Sequence, residues 1–122
     1  MKGLIRSFGY AFEGLRAAIK TERNLKIHLV AAVLAVIVGL YLGLTGAKWC
    51  LVAFAIGFVI VSELFNTSVE RLSSIVADGK QNQSIKEVKD ISAAAVLISA
   101  LTALVIGILV LFIPLVERVI NL

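Results

Sequence analysis

Two carboxylates and an amide recur within one short stretch of the chain, ELFNTSVE, which contains Glu63, Asn66 and Glu70. An α-helix turns by about 100° per residue, so these three positions fall on one face of a helix. A face that presents carboxylate, amide and carboxylate can bind a divalent cation through oxygen atoms or accept a proton. These residues are therefore the first candidates for chemistry.

The sequence before this motif indicates how deeply the carboxylates lie. The run from Trp49 to Ser62 is almost wholly apolar but too short to cross a bilayer, which takes roughly 20 helical residues. The helix must then continue through ELFNTSVE and carry its carboxylates to the edge of the membrane. Ionisable groups at that depth are costly and usually functional. The alternatives are a hydrogen bond from Glu63 to a neighbouring helix and an ordinary interfacial charge at Glu70.

Composition excludes several classes of protein. The chain has 122 residues, of which 60% are hydrophobic, well above the share in soluble domains. Its net charge of +4 is modest, and we expect no nucleic-acid partner. A single cysteine, Cys50, rules out an intrachain disulfide. The sequence also lacks GxxxxGK[ST] and GxGxxG, so neither a P-loop nor a Rossmann nucleotide site is supported.

The apolar stretches predict an all-α membrane protein with one domain over residues 1–122. Apolar residues recur at helical spacing among basic residues in the N-terminal segment, which predicts an amphipathic interfacial helix over 1–22. Three transmembrane helices are predicted over 25–44, 49–77 (with a cytoplasmic extension) and 85–116. We expect Gly46 to end the first span, a Ser84–Glu87 capping box to start the third, and Pro114 to interrupt its far end.

The distribution of basic residues predicts the orientation. Two regions, the N-terminal segment and the connection before the third span, hold ten of the twelve Lys and Arg residues, and only Lys48 and Arg118 lie elsewhere. The positive-inside rule therefore places both regions in the cytoplasm. Glu22, Glu70, Lys89 and Asp90 then share the cytoplasmic face of the membrane. Local pairing of Glu22 with Arg23 or Lys26, and a plain helix-start role for Lys89 and Asp90, remain open.

Longer motifs add a family resemblance. The segments GYAFEGLRAA, ELFNTSVE and VKDISAAAVLISA resemble the prokaryotic diacylglycerol kinases, small integral membrane lipid kinases, over nearly the whole chain. The segment TERNLKIH is similar to the Gram-positive branch, whose members phosphorylate undecaprenol in preference to diacylglycerol. The resemblance implies a homotrimer in the bacterial plasma membrane, with the N-terminus and composite active sites on the cytoplasmic side. It also implies transfer of the ATP γ-phosphate to a lipid hydroxyl.

The resemblance assigns roles to matching residues. Glu63 would be the general base, Asn66 would support the catalytic helix face, and Glu22 and Glu70 would hold Mg²⁺ on the nucleotide. The residues that would contact ATP are Tyr10, Glu22, Glu70, Lys80, Lys89 and Asp90. Apart from the resemblance, Arg16, Asn24 and His28 are candidates for contact with the lipid. The alternative for His28 is a polar residue at the interfacial end of the first span.

The chain departs from the family pattern at two positions, and competing functions remain. Ser74 stands where many members carry an aspartate, and Gly3 stands where they carry a basic residue. For the substrate, undecaprenol is the expectation and diacylglycerol the alternative. A small proton-coupled transporter with Glu63 as its proton site is the alternative of another class, and a noncatalytic membrane subunit is a third.

Overall fold

The computed structural model describes all 122 residues and contains only helices and their connections. The helices are α1 (Lys2–Thr21), α2 (Arg23–Leu42), α3 (Gly46–Ala77), α4 (Gln83–Gly107), a π-helical turn (Ile108–Phe112) and α5 (Ile113–Ile120). Three helical stretches are long and apolar enough to cross a membrane: α2, α3, and the continuous run Gln83–Ile120. The all-α membrane fold predicted from the sequence is therefore confirmed.

The first connection differs from the expectation in its turn residue. Helix α2 ends at Leu42, and Gly43 follows with a left-handed φ of 65°, donating its N–H to the Gly39 carbonyl. Gly46 is instead the first residue of α3, which Thr45 caps by accepting from the Lys48 N–H. The prediction for Gly46 was wrong because Gly43 already supplies the positive φ that ends a helix.

The second connection also uses a different cap. Helix α3 ends with Asp78 and Gly79 at φ values of 47° and 76°. Helix α4 begins after Asn82, whose Oδ1 accepts from the N–H groups of Ser84 at 2.8 Å and Ile85 at 3.3 Å. The Ser84 capping box was wrong, because the Asn82 side chain already satisfies the first free N–H groups of the helix.

Pro114 does not interrupt the third helical stretch, which was predicted to end at residue 116. The chain widens into the π-helical turn just before Pro114 and continues as α5 to Ile120. A proline cannot donate to the carbonyl of the preceding turn, and a wider turn accommodates that missing hydrogen bond without ending the helix.

Helix α3 lies at the centre of the bundle and packs along α4 and α2. Its buried residues divide by position: Val52, Ala55 and Val59 come first, and Glu63, Asn66, Thr67 and Ser73 follow. Helix α1 lies beside this bundle with only Ala18 buried, while Leu4, Phe8 and other large apolar side chains of α1 stay exposed. The fold therefore brings polar groups inside at one end of α3 only.

Candidate active site

The face of α3 predicted to carry chemistry points into the protein. Glu63 and Asn66 are buried, at 3% and 8% exposure, and Glu70 is half-buried. Asn66 donates from Nδ2 to Glu70 Oε1 at 3.2 Å, which links the two residues along the helix. The other amide atom, Asn66 Oδ1, is buried without a hydrogen-bond partner in the protein. Because buried polar atoms are nearly always satisfied, this oxygen marks a place for a donor from a ligand or water.

Helix α2 supplies the partner of Glu63. His28 Nε2 lies 3.2 Å from Glu63 Oε1, and the histidine side chain is 25% exposed. This contact across two helices gives a nearly inaccessible carboxylate a polar neighbour, as burial of a charged group requires. Glu63 therefore does contact a neighbouring helix, which was the alternative to a chemical role. It does so in the cavity that Asn66 and Glu70 also line.

These side chains surround one polar cavity of about 450 Å³. Helix α2 contributes Asn24, Ile27 and His28, and α3 contributes Glu63, Asn66 and Glu70, while α4 closes the far side with small and apolar residues. Five of the predicted site residues therefore share one space.

An apolar groove of about 410 Å³ continues from this cavity. Two residues, His28 and Ala100, line both spaces. The groove runs between α2, α3 and the third helical stretch as far as Phe112, and alanines form much of its wall. Small side chains leave room for a narrow, flexible apolar chain beside the helices. A polar cavity that opens into an apolar groove suits a molecule with a polar head and a hydrocarbon tail.

Glu22 lies at the junction of α1 and α2, in extended backbone between the two helices. Its Oε1 is 3.4 Å from a guanidinium nitrogen of Arg71, which also donates to Thr21 Oγ1 at 2.5 Å. The open alternative of a local pair with Arg23 or Lys26 is not what forms, since Lys26 donates instead to the Lys20 carbonyl. Sequence reasoning missed Arg71, because no local spacing connects it with residues so distant in the chain.

The remaining predicted residues do not line the cavity. Tyr10 and Arg16 are exposed on α1, and Lys80 is exposed in the connection before α4. Lys89 is exposed on α4, and Asp90 accepts from Lys86 at 2.6 Å. All five lie on the surface, where a soluble ligand can reach them.

The donor set suits a cation that brings other ligands with it. No three histidine, cysteine, aspartate or glutamate side chains cluster closely enough to hold a metal ion by themselves. Glu70 and Glu22 offer two carboxylates, and Mg²⁺ commonly takes one or two carboxylates together with phosphate oxygens and water. On donor chemistry alone, these two carboxylates could hold a magnesium ion only together with ligands from outside the protein.

Comparison with known proteins identifies the family. The sequence model of the prokaryotic diacylglycerol kinase family matches residues 9–111 of this chain. The chain belongs to this family. It is 33% identical to the undecaprenol kinase of Bacillus subtilis, over 89% of this chain and 87% of that protein.

Two further relatives carry the other substrate in their names. The diacylglycerol kinase of Synechocystis is 31% identical over 85% of this chain, which spans 59% of that longer protein. The diacylglycerol kinase of Escherichia coli is 28% identical over 84% of this chain and 83% of its own length. As a member of the family the chain is an enzyme, a membrane lipid kinase, and this favours kinase activity over the transporter and noncatalytic alternatives.

Proposed function

We propose that this kinase transfers the γ-phosphate of ATP to the hydroxyl of undecaprenol in a bacterial plasma membrane. The observation that carries the proposal is the buried Glu63 in a polar cavity that opens into an apolar groove. A lipid alcohol can place its hydroxyl beside Glu63 while its tail lies in the groove and the surrounding bilayer. A soluble substrate has no hydrocarbon tail that would occupy that groove.

In the proposed reaction, Glu63 is the general base. It takes the proton as the lipid O–H bond breaks, the lipid oxygen bonds to the γ-phosphorus, and the bond from that phosphorus to the bridging oxygen breaks and releases ADP. Such transfers depend mainly on positioning and on neutralising charge, with little covalent work by the protein. Asn66 lies on the same helix face as Glu63 and would support this arrangement by donating a hydrogen bond to Glu70.

Glu22 and Glu70 are proposed to hold the magnesium ion of the nucleotide, which would neutralise charge on the phosphate oxygens. Arg71 follows Glu70 in the sequence, and its guanidinium pairs with Glu22 at 3.4 Å. An arginine beside these carboxylates can turn its remaining N–H groups to phosphate oxygens. Arg71 therefore adds a cation to the proposed nucleotide site.

The other proposed nucleotide contacts, Tyr10, Lys80, Lys89 and Asp90, lie outside the cavity of one protomer. A homotrimer with sites shared between protomers would bring such surface residues to the cavity. The exposed apolar face of α1 and the apolar outer faces of the spans are consistent with burial against lipid or other protomers. We propose that the N-terminus and the active site face the cytoplasm, where ATP is available.

Asn24 lines the cavity and is proposed to approach the lipid head, whereas Arg16 would act from α1 at the membrane surface. His28 lines the same cavity beside Glu63. Diacylglycerol is the second candidate substrate, because the relatives in Synechocystis and Escherichia coli are named for it. The likeness to the Bacillus protein and the TERNLKIH segment favour undecaprenol.

Purified protein in mixed micelles tests the proposal directly. We expect radiolabelled phosphate to pass from ATP to undecaprenol faster than to diacylglycerol, and removal of magnesium with a chelator to stop the transfer. A faster reaction with diacylglycerol would overturn the substrate assignment. Absence of transfer to both lipids would overturn the proposed reaction of this chain.

A further inference from the structure

Glu63 has a single polar partner in the protein. Its carboxylate contacts His28 Nε2 at 3.2 Å, and no other hydrogen bond or ion pair to it is present. Asn66, one turn further along α3, donates its N–H to Glu70 instead. The direction in which the Glu63 carboxylate points is therefore set by one side chain from another helix.

His28 also lies where the two spaces meet. It lines both the polar cavity and the apolar groove, so the Glu63 carboxylate and the entrance of the groove are adjacent. A substrate hydroxyl at the head of a chain in that groove would come to rest beside this pair.

We propose that His28 is a positioning residue for phosphoryl transfer. The contact of its Nε2 with Oε1 of Glu63 would fix the orientation of the carboxylate that takes the proton of the lipid hydroxyl. A base accepts a proton efficiently only within hydrogen-bond reach and in the right orientation, and a displacement of about 1 Å can cost about 100-fold in rate. The inference rests on the proposed function, with Glu63 as the base.

This role differs in its consequences from a direct lipid contact and from a purely structural one. A lipid contact would act mainly on KM for the lipid, and a structural contact would act on stability. Loss of a positioning residue lowers kcat, because the Glu63 carboxylate is then wrongly oriented even when both substrates are bound.

Two substitutions at His28 separate these roles. We expect His28→Leu to lower kcat by about 10- to 100-fold, as removal of a side chain that orients a functional group commonly does. KM for ATP and for the lipid should stay near their wild-type values. In His28→Gln an amide N–H can still reach Glu63, and kcat should recover about tenfold over His28→Leu, the value of one hydrogen bond to a charged group.

Leu29→Ala is the matched control, because Leu29 is the next residue of α2, is half-buried and lines neither space. Its kcat should stay close to that of the wild type. A wild-type kcat in His28→Leu, or a loss confined to KM for the lipid, would overturn the proposal. So would a His28→Gln variant that is no better than His28→Leu.

A second measurement does not depend on activity or on the folding of the His28 variants. His28 is the only histidine in the chain, so protein labelled in histidine with ¹⁵N gives the imidazole signals of this one residue. We expect the Nε2 signal of the otherwise unaltered protein to shift in Glu63→Gln and to stay unchanged in Glu117→Gln, a distant exposed site. An Nε2 signal that is insensitive to Glu63→Gln would overturn the proposal.

The two measurements also separate this inference from the proposed function. If the wild-type protein phosphorylates lipid but His28→Leu is unimpaired, only the role of His28 fails. If the wild-type protein phosphorylates neither lipid, the proposed function fails. The proposal that His28 positions the catalytic base Glu63 then fails as well, even if the Nε2 signal shows that the two side chains are in contact.

Discussion

The two halves of α3 bury opposite kinds of residue. From Gly46 to Val59, the buried side chains are apolar and line the groove between the helices. From Glu63 to Ser73, the buried side chains are a carboxylate, an amide and two hydroxyls. Burial of polar groups costs free energy unless partners are supplied, so a packing role alone does not account for the second half.

The partners in the two halves differ accordingly. In the polar half, His28 meets Glu63 and Asn66 meets Glu70, and one amide oxygen is left without a partner. In the apolar half, the ring of Trp49 lies against Gly39, where a Cβ would approach Trp49 Cη2 to 2.7 Å. The polar half is thus organised around polar contacts, and the apolar half around close van der Waals contact.

The largest effect should follow from removing the buried charge in the polar half. We expect Glu63→Gln to lower lipid phosphorylation by about 10²- to 10⁴-fold, because loss of a general base commonly costs that much. The amide is nearly the same size as the carboxylate, so the fold should persist. The measurement is transfer of radiolabelled phosphate from ATP to the lipid.

Glu117→Gln is the control, since it makes the same chemical change at an exposed position of α5. Near-normal turnover in Glu63→Gln would contradict the assignment of the base and remove the functional distinction between the two halves.

A smaller loss should follow from changing the central amide. Asn66→Asp removes the N–H that is donated to Glu70 and places a third negative charge between two carboxylates. We expect kcat to fall by about 10- to 100-fold, as for other residues that orient functional groups. Asn121→Asp makes the same change at the exposed C-terminal end and should be near wild type. Equal activities of the two variants would contradict a site role for Asn66.

The smallest effect on activity should come from the apolar half. Gly39→Ala forces the Trp49 ring to move, and we expect it to lower the free energy of unfolding by about 1 to 3 kcal/mol, the usual cost of overpacking. Its kcat per folded molecule should not change. Denaturant titration in micelles measures the first quantity and the kinase assay the second.

Gly57→Ala is the matched glycine change, since a Cβ there would meet no atom within 4 Å. It should leave stability unchanged or raise it. A Gly39→Ala variant with normal stability and reduced kcat would contradict a packing role for the contact between Gly39 and Trp49.

Much of the fold could be read from local properties of the sequence. The lengths of the apolar runs indicated three spans, and the helical period put Glu63, Asn66 and Glu70 on one face. The errors arose where several residues compete for one local role. Gly43 ends α2 in place of Gly46, and Asn82 caps α4 in place of Ser84, because the sequence offers two suitable residues at each turn.

The sequence alone could predict which site residues lie together only for those on α3. Asn24 and His28 joined the candidates as possible lipid contacts, yet the contact of His28 with Glu63 depends on how α2 packs against α3. The pairing of Arg71 with Glu22 likewise depends on where the α1–α2 junction lies against α3, and no spacing along the chain reveals it.

The sequence by itself determined that the chain is an all-helical membrane protein with a carboxylate–amide–carboxylate face, because run length and helical period are properties of neighbouring residues. Only the tertiary structure decided that this face meets a histidine, closes a polar cavity and continues into an apolar groove. Those features arise from the packing of three helices, which brings together residues that no local interaction connects.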